Sequence, residues 1–142
     1  MTIDPTLDIE YQVRAFLLAD ADVASVVGTR VFPAPAPQNT AAPFVTLQRV
    51  STERVYSDDG YSKLCGPLLQ IDCWSDAPEY AGSYLEAKKA AQAVRHALNG
   101  FRGMMGPLRV QETTIETEHD LFDAQDRTRR VSYDFRFWHD DG

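Results

Sequence analysis

The spacing of apolar residues switches between helical and strand periods along this chain. Asp4-Pro5 joins a side-chain cap to a proline at the first helical position, so a helix is predicted from there to Leu18 or Asp20. Its apolar residues form two stripes, Ile9/Val13/Phe16/Leu17 and Leu7/Tyr11/Leu18. One stripe suffices to pack a helix on a sheet. The second faces either a neighbouring subunit or a short helix predicted over residues 22–27. Gly28 ends that short helix in a left-handed cap, and residues 30–32 read as a brief strand. Four prolines (Pro33, Pro35, Pro37, Pro43) then make a stiff extended arm that cannot donate a regular ladder.

Residues 44–55 are rich in β-branched and aromatic side chains and predict a strand. Ser57-Asp58-Asp59-Gly60 is a turn cluster that returns the chain into a second strand over 61–75. Gly66-Pro67 predicts a bulge or an edge position there. Beyond it, Leu69, Ile71 and Cys73 share one face, with Leu68, Gln70, Asp72 and Trp74 on the other. Asp76 and Glu79 form a capping box. The helix after it aligns Tyr80, Tyr84, Ala87, Ala91, Val94 and Leu98, with Glu86, Lys89, Gln92 and His96 turned away, and Asn99-Gly100 stops it. Residues 101–106 read as a flexible turn. Strands over 107–117 and 127–138 follow, joined by an acidic loop over 118–126. In the last strand Val131, Tyr133, Phe135 and Phe137 alternate with Arg130, Ser132, Asp134 and Arg136, the pattern of a half-buried antiparallel strand. These elements predict a single α+β domain over 1–142. Its antiparallel sheet of four to five strands carries helices mainly on one face, in the order α-α-β-β-α-β-β.

A chain of 142 residues can bury one core. Its formal net charge of -7 repels nucleic acid, which argues against general DNA binding but suits a surface past which DNA slides. No segment reaches the ~20 apolar residues of a bilayer span, and the N-terminal residues lack the pattern of a signal peptide. Cys65 and Cys73 are eight apart on one predicted strand, about 26 Å, far beyond disulfide reach. They are expected as buried free thiols.

No catalytic signature is present. His96, His119 and His139 lie in different elements without zinc-ligand spacing, and Asp120, Asp123 and Asp126 lack the glycine and glutamate of a calcium loop. His119-Asp120 and His139-Asp140 lie at strand ends, where polar residues are expected in any case. The expectation is no cofactor, no metal and no catalytic residue. Arg127, Arg129 and Arg130 are expected to pair with Glu112, Glu116 and Glu118 on the neighbouring strand, with a phosphate contact as the alternative. Trp74 and Trp138 fall opposite the core stripe, and Tyr56 and Tyr61 flank the hairpin turn. Exposed aromatics of this kind mark interfaces. For Trp74, cover by the first helix is the competing reading.

The segment L-L-A-D-A-D-V-A-S-V-V-G-T-R-V-F-P with the following P-Q and P-F-V, and then L-Q-I-D-C-W-S before an alanine-rich helix ending R-H-A-L-N-G, resembles the tail-completion or tail-terminator proteins of long-tailed phages and gene transfer agents. The similarity runs from Arg14 to about Trp138 and rests on apolar spacing with Gly28, Arg30, Pro37, Pro43 and Trp74. It implies a non-enzymatic protein of the head-tail junction of the virion, made in the host cytoplasm. Such proteins form a ring, usually of six subunits, that caps the tail tube, ends its polymerisation and docks it to the head connector. The implied partners are further copies of the chain, the major tail tube protein and a connector or neck protein. DNA passes through the lumen and no membrane is involved. The candidate subunit or tube contacts are Tyr11, Arg30, Pro37, Arg54, Tyr56, Tyr61, Lys63, Trp74 and Trp138. Two other readings stand beside this one. One is a head-completion protein of the neck that binds the connector. The other is a small enzyme or ligand-binding domain whose cleft gathers His96 or His119 with two carboxylates.

Overall fold

The computed structural model describes residues 3–76 and 80–141, without the side chains of residues 80–83. The expected capping box at Asp76 and Glu79 therefore lies outside the described residues, as does the side chain of Tyr80. Asp4 does cap a turn, accepting from the Thr6 amide at 3.0 Å, but the turn is a single 3-10 segment, Pro5–Leu7. The first α-helix, α1 (Ile9–Ala19), begins afresh after Asp8, whose extended backbone breaks the predicted continuous helix. Asp20 then caps α2 (Ala21–Val27) through the Val23 amide at 3.0 Å, and Gly28 ends it at φ 62°.

Among the described residues six strands follow one order, β1-β2-β3-β6-β5-β4. They are β1 (Val31–Pro33), β2 (Phe44–Ser57), β3 (Gly60–Ser75), β4 (Gly103–Met105), β5 (Leu108–Asp123) and β6 (Thr128–Asp140). The third helix, α3 (Tyr80–Leu98), connects β3 to β4. The α+β class holds, but the sheet is larger than expected and not wholly antiparallel, because β1 pairs β2 in parallel. The segment expected as a flexible turn contains β4, whose Met105 is buried and pairs with Leu108. The acidic loop is shorter than expected, since β5 runs to Asp123 and pairs with β6 to its end.

The helices cover one face of the sheet. Ile9, Val13 and Leu17 of α1, Val23 and Val27 of α2, and Ala87, Ala90, Ala91, Val94 and Leu98 of α3 share a core with Leu69, Ile71, Cys73, Val131, Tyr133, Phe135 and Phe137. Small alanines let α3 approach the central strands, and its Ala91 carbonyl accepts from the Tyr133 hydroxyl at 3.3 Å. Tyr84 departs from its predicted stripe and stands 39% exposed at the helix start. Burying each large apolar side chain of this kind is worth about 1.5–3 kcal/mol, so this face supplies most of the driving force for folding.

Gly66-Pro67 is neither a bulge nor an edge. Both residues sit in β3, an interior strand, and the β2–β3 ladder passes through them without a register shift. The glycine is required from the far face: a Cβ on Gly66 would lie 2.8 Å from the indole of Trp138.

Candidate assembly surface

The β2–β3 hairpin runs past the end of the neighbouring strand. Leu64 pairs with Asp140 at the end of β6, so residues 60–63 and their β2 partners overhang by roughly 13 Å of strand. Tyr56 and Tyr61 pair across the overhang with ring centroids 5.4 Å apart. Tyr56 is 67% exposed, while Tyr61 is half-buried because its hydroxyl donates to Asp141 Oδ2 at 3.0 Å. The Asp141 amide donates to the Lys63 carbonyl, and the Ser62 hydroxyl to that of Val55. Lys63 takes φ 70° at the irregularity this creates. Arg54 is exposed opposite Cys65. Four of the predicted residues thus converge on one hairpin, held by the C-terminal segment.

The proline arm lies across the face opposite the helices. It roofs a groove of about 490 Å³ lined by Pro35, Pro37, Phe44, Thr46, Asp72, Trp74 and Arg130, among others. Trp74 therefore lies outside the cover of α1. It stacks on Phe44 at 5.9 Å, donates from Nε1 to Thr46 Oγ1 at 2.9 Å, and holds the Arg130 guanidinium 5.1 Å above its ring. Pro37 is exposed on the arm, and its carbonyl accepts from Thr40 Oγ1 at 2.5 Å. Arg30 has a structural explanation. Its Nε donates to the Pro43 carbonyl at 2.9 Å and pins the far end of the arm, while Arg14 Nε fixes the near end through Val31 O at 2.7 Å.

The arginine partners differ from those expected, because the β5–β6 register places Arg130 opposite Leu121 and Arg129 opposite Phe122. Arg130 pairs with Asp72 at 3.2 Å, and Arg129 sits 4.5 Å over the Phe122 ring. Glu116 instead meets Arg136, which donates to it at 2.8 and 3.2 Å and to the Gly66 carbonyl at 2.8 Å. These bonds hold the Glu116 carboxyl below its ordinary range. Trp138, half-buried, covers Gly66 beside this pair. Tyr11 is 52% exposed on α1 and Leu7 is 48% exposed beside it. Leu18 of the same stripe packs against the core, so α2 leaves Leu7 and Tyr11 uncovered.

Two of the three histidines lie far apart. His119 pairs across from Ser132 and His139 from Val110, at opposite ends of the sheet. Among the described residues no group of three or more His, Cys, Asp or Glu could hold a metal. Asp120 is taken by Lys88 at 2.8 Å, and Asp123 accepts the Gln125 and Asp126 amides of its own turn. Both cysteines are free and buried. Cys65 lies 3.4 Å from His139 Nε2, a contact absent from the expectations, since the residues are remote in sequence and meet only through the β3–β6 register. Burial pushes both thiols up, away from the thiolate a nucleophile needs. Gln12 was also missed. It fills a polar gap in α1, donating to the Thr6 carbonyl and pressing on Gly106.

A helix-backed sheet with a protruding hairpin and a proline arm, whose described histidines lie apart, is built to present surfaces. The family comparison agrees. The model for tail completion protein gp17 matches residues 11–140, and the chain belongs to that family. Among solved structures, a chain from the virion of a native gene transfer agent particle superposes with a TM-score of 0.78 at 24% identity, covering 98% of this chain and 99% of that one. At that identity the likeness establishes the fold. No curated protein sequence matches.

Proposed function

We propose that the chain closes into a ring on the end of the tail tube, ends tube growth and joins the tail to the head connector. A ring of six subunits, implied by the family resemblance, is the expected form, with the whole chain acting as one domain. The protein contributes surfaces and catalyses nothing: its thiols are buried and its histidines are scattered. A ring repeats one heterologous contact until it closes, which requires two different surfaces on each subunit. The observation that carries this reading is the overhanging hairpin. Tyr56 and Arg54 stand exposed at its end. With Tyr61, Lys63, Tyr11, Pro37, Trp74 and Trp138 they form the proposed contacts to copies, tube or connector. Arg30 contributes by fixing the arm. The net charge of -7 favours a lumen through which DNA moves without being held.

Deleting residues 55–61 tests the proposal. The expected product is a folded chain that no longer binds isolated tail tubes in negative-stain images. Normal tail length and joining by that deletion would overturn it. Wild-type binding to connectors and never to tubes would move the role to the neck.

A further inference from the structure

Both edges of the sheet are only partly closed. On one side β1 covers Val45 to Leu47 of β2, and Ala34 adds a last bond to Leu47. On the other, β4 covers Leu108 to Val110 of β5, and the Gly100 amide reaches Thr113. Among the described residues no strand lies along the outer edge of β2 over 48–57, or of β5 over 114–123. Each open stretch is about ten residues, roughly 33 Å of strand. An edge of that length is a template for another chain.

We infer that these two edges are made for each other, the open half of β2 in one copy pairing with the open half of β5 in the next. This inference rests on the ring reading above and names the contact that would repeat. Polarity favours it. Each of the neighbours β2, β3, β6 and β5 is antiparallel to the last, so β2 and β5 point in opposite directions. A second copy placed the same way up presents β5 antiparallel to β2, and the sheet continues without reversal. Charge favours it too. The β2 stretch carries Arg49 and Arg54 against Glu53, whereas the β5 stretch carries Glu116, Glu118, Asp120 and Asp123 with no lysine or arginine. Arg49, Glu116 and Asp120 already pair with Glu10, Arg136 and Lys88 of their own chain, so Arg54 and Glu118 carry the complementarity. Both stretches leave apolar side chains exposed, Val50, Val55 and Tyr56 on one and Leu121 and Phe122 on the other.

A specific register follows. Arg54 lies opposite Cys65 and Glu118 opposite the core residue Tyr133, which puts both on the helix-bearing face. Setting Arg54 against Glu118 also sets Glu53 against His119, Thr52 against Asp120 and Ser51 against Leu121, with no like charges opposed. Gln48, Gln70, Asp134 and Thr117 share one row across the sheet. The open halves therefore sit toward opposite ends, and this register displaces each added copy by about seven residues, ~23 Å, along the strands. Four strands span ~19 Å across the sheet. A closed ring then needs strands inclined by about 50° to its axis, a little beyond the tilt of ordinary barrels.

Charge reversal in trans tests the contact. Arg54→Glu and Glu118→Arg are each expected to fold, by circular dichroism, and to lose rings on isolated tail tubes. An equimolar mixture should restore rings, because the carboxylate introduced at position 54 of one variant then meets the guanidinium introduced at position 118 of the other, and the remaining contacts are native. Rings from either variant alone, or a mixture of folded variants that stays unringed, would overturn the edge contact while leaving the ring intact as a reading. A lone wild-type copy on the tube end would instead remove the ring itself. As a second measurement, with Cys65→Ser removing the thiol that faces position 54 in the same chain, Arg54→Cys with Glu118→Cys should give an oxidised ladder of linked copies, since such cross-strand Cβ atoms lie about 5 Å apart. Linkage no greater than with Arg54→Cys and Glu112→Cys, also with Cys65→Ser, overturns the pairing.

Discussion

The middle of the sheet and its two open ends are built from the same strands yet differ in what they bury. Along the row Arg49, Leu69, Phe135 and Ile115, the two central residues are fully buried under helices. A few residues further along β2, past an irregularity at Val55, the ladder resumes at Tyr56 but covers little apolar area. The same holds on β5 beyond Ile115, where every residue to Asp123 is exposed. Backbone pairing therefore continues where hydrophobic burial stops. The difference teaches that folding is settled in the centre, which leaves the ends free to serve another molecule.

The largest expected contrast comes from truncating one side chain in each region. Phe135 touches Tyr133 and Phe137 at ring distances of 5.4 and 6.0 Å and has no exposed surface. Phe135→Ala should cost about 3–5 kcal/mol in unfolding free energy, through lost burial and the cavity left behind. Val55→Ala, at a residue 40% exposed on the overhang, should stay within about 0.5 kcal/mol of wild type. Denaturant midpoints measure both. Equal losses would erase the distinction between centre and ends.

That contrast also marks what could be read from the residues alone. The alternation Val131/Tyr133/Phe135/Phe137 and the alanine stripe of α3 carry their burial in their spacing, so the core was legible. Gly28, Asn99-Gly100 and the turn at Asp58-Asp59 were legible because backbone conformation is a local property. Residues 118–123 read as a loop because an acidic run lacks strand composition. The β5–β6 ladder, Lys88 on Asp120 and Arg129 over Phe122 are long-range compensations with no local trace. β4 was missed because Gly103-Met104-Met105-Gly106 looks like a turn until Met105 finds the core. Of the candidate contacts, Tyr56, Tyr61, Arg54 and Lys63 could be grouped from the hairpin. The structural task of Arg30 could not, since Pro43 reaches it only once the arm has folded back.

Gly66 stands near the border between the two regions and sharpens where it falls. Its far-face Cβ position lies 2.8 Å from three atoms of the Trp138 indole, a rigid ring that has to move bodily. Gly66→Ala should cost about 1–3 kcal/mol through overpacking. The same change with Trp138→Leu in place should cost less, because contacting residues couple in a double-mutant cycle. Additive losses would show that the glycine is needed for its backbone and not for the indole.

The smallest loss expected away from the overhang lies at the Glu116–Arg136 pair, where a side chain of the exposed β5 end reaches back to the centre. Arg136 is 7% exposed and keeps the Gly66 carbonyl as a second partner, so removing the Glu116 charge leaves the guanidinium partly satisfied. The Glu116 side chain is 43% exposed, and solvent screens the pair. Glu116→Gln should therefore cost no more than about 1 kcal/mol at neutral pH. Arg136 lowers the folded carboxyl from its ordinary value of 4.5, so the pair contributes fully above that value and fades as pH falls through the lower folded one. Wild type and Glu116→Gln should differ near neutrality and converge in acid when unfolding is followed against pH. A difference that persists unchanged into acid would mean that the glutamate acts through its shape and its neutral hydrogen bonds, and that no charge links the exposed end to the buried centre.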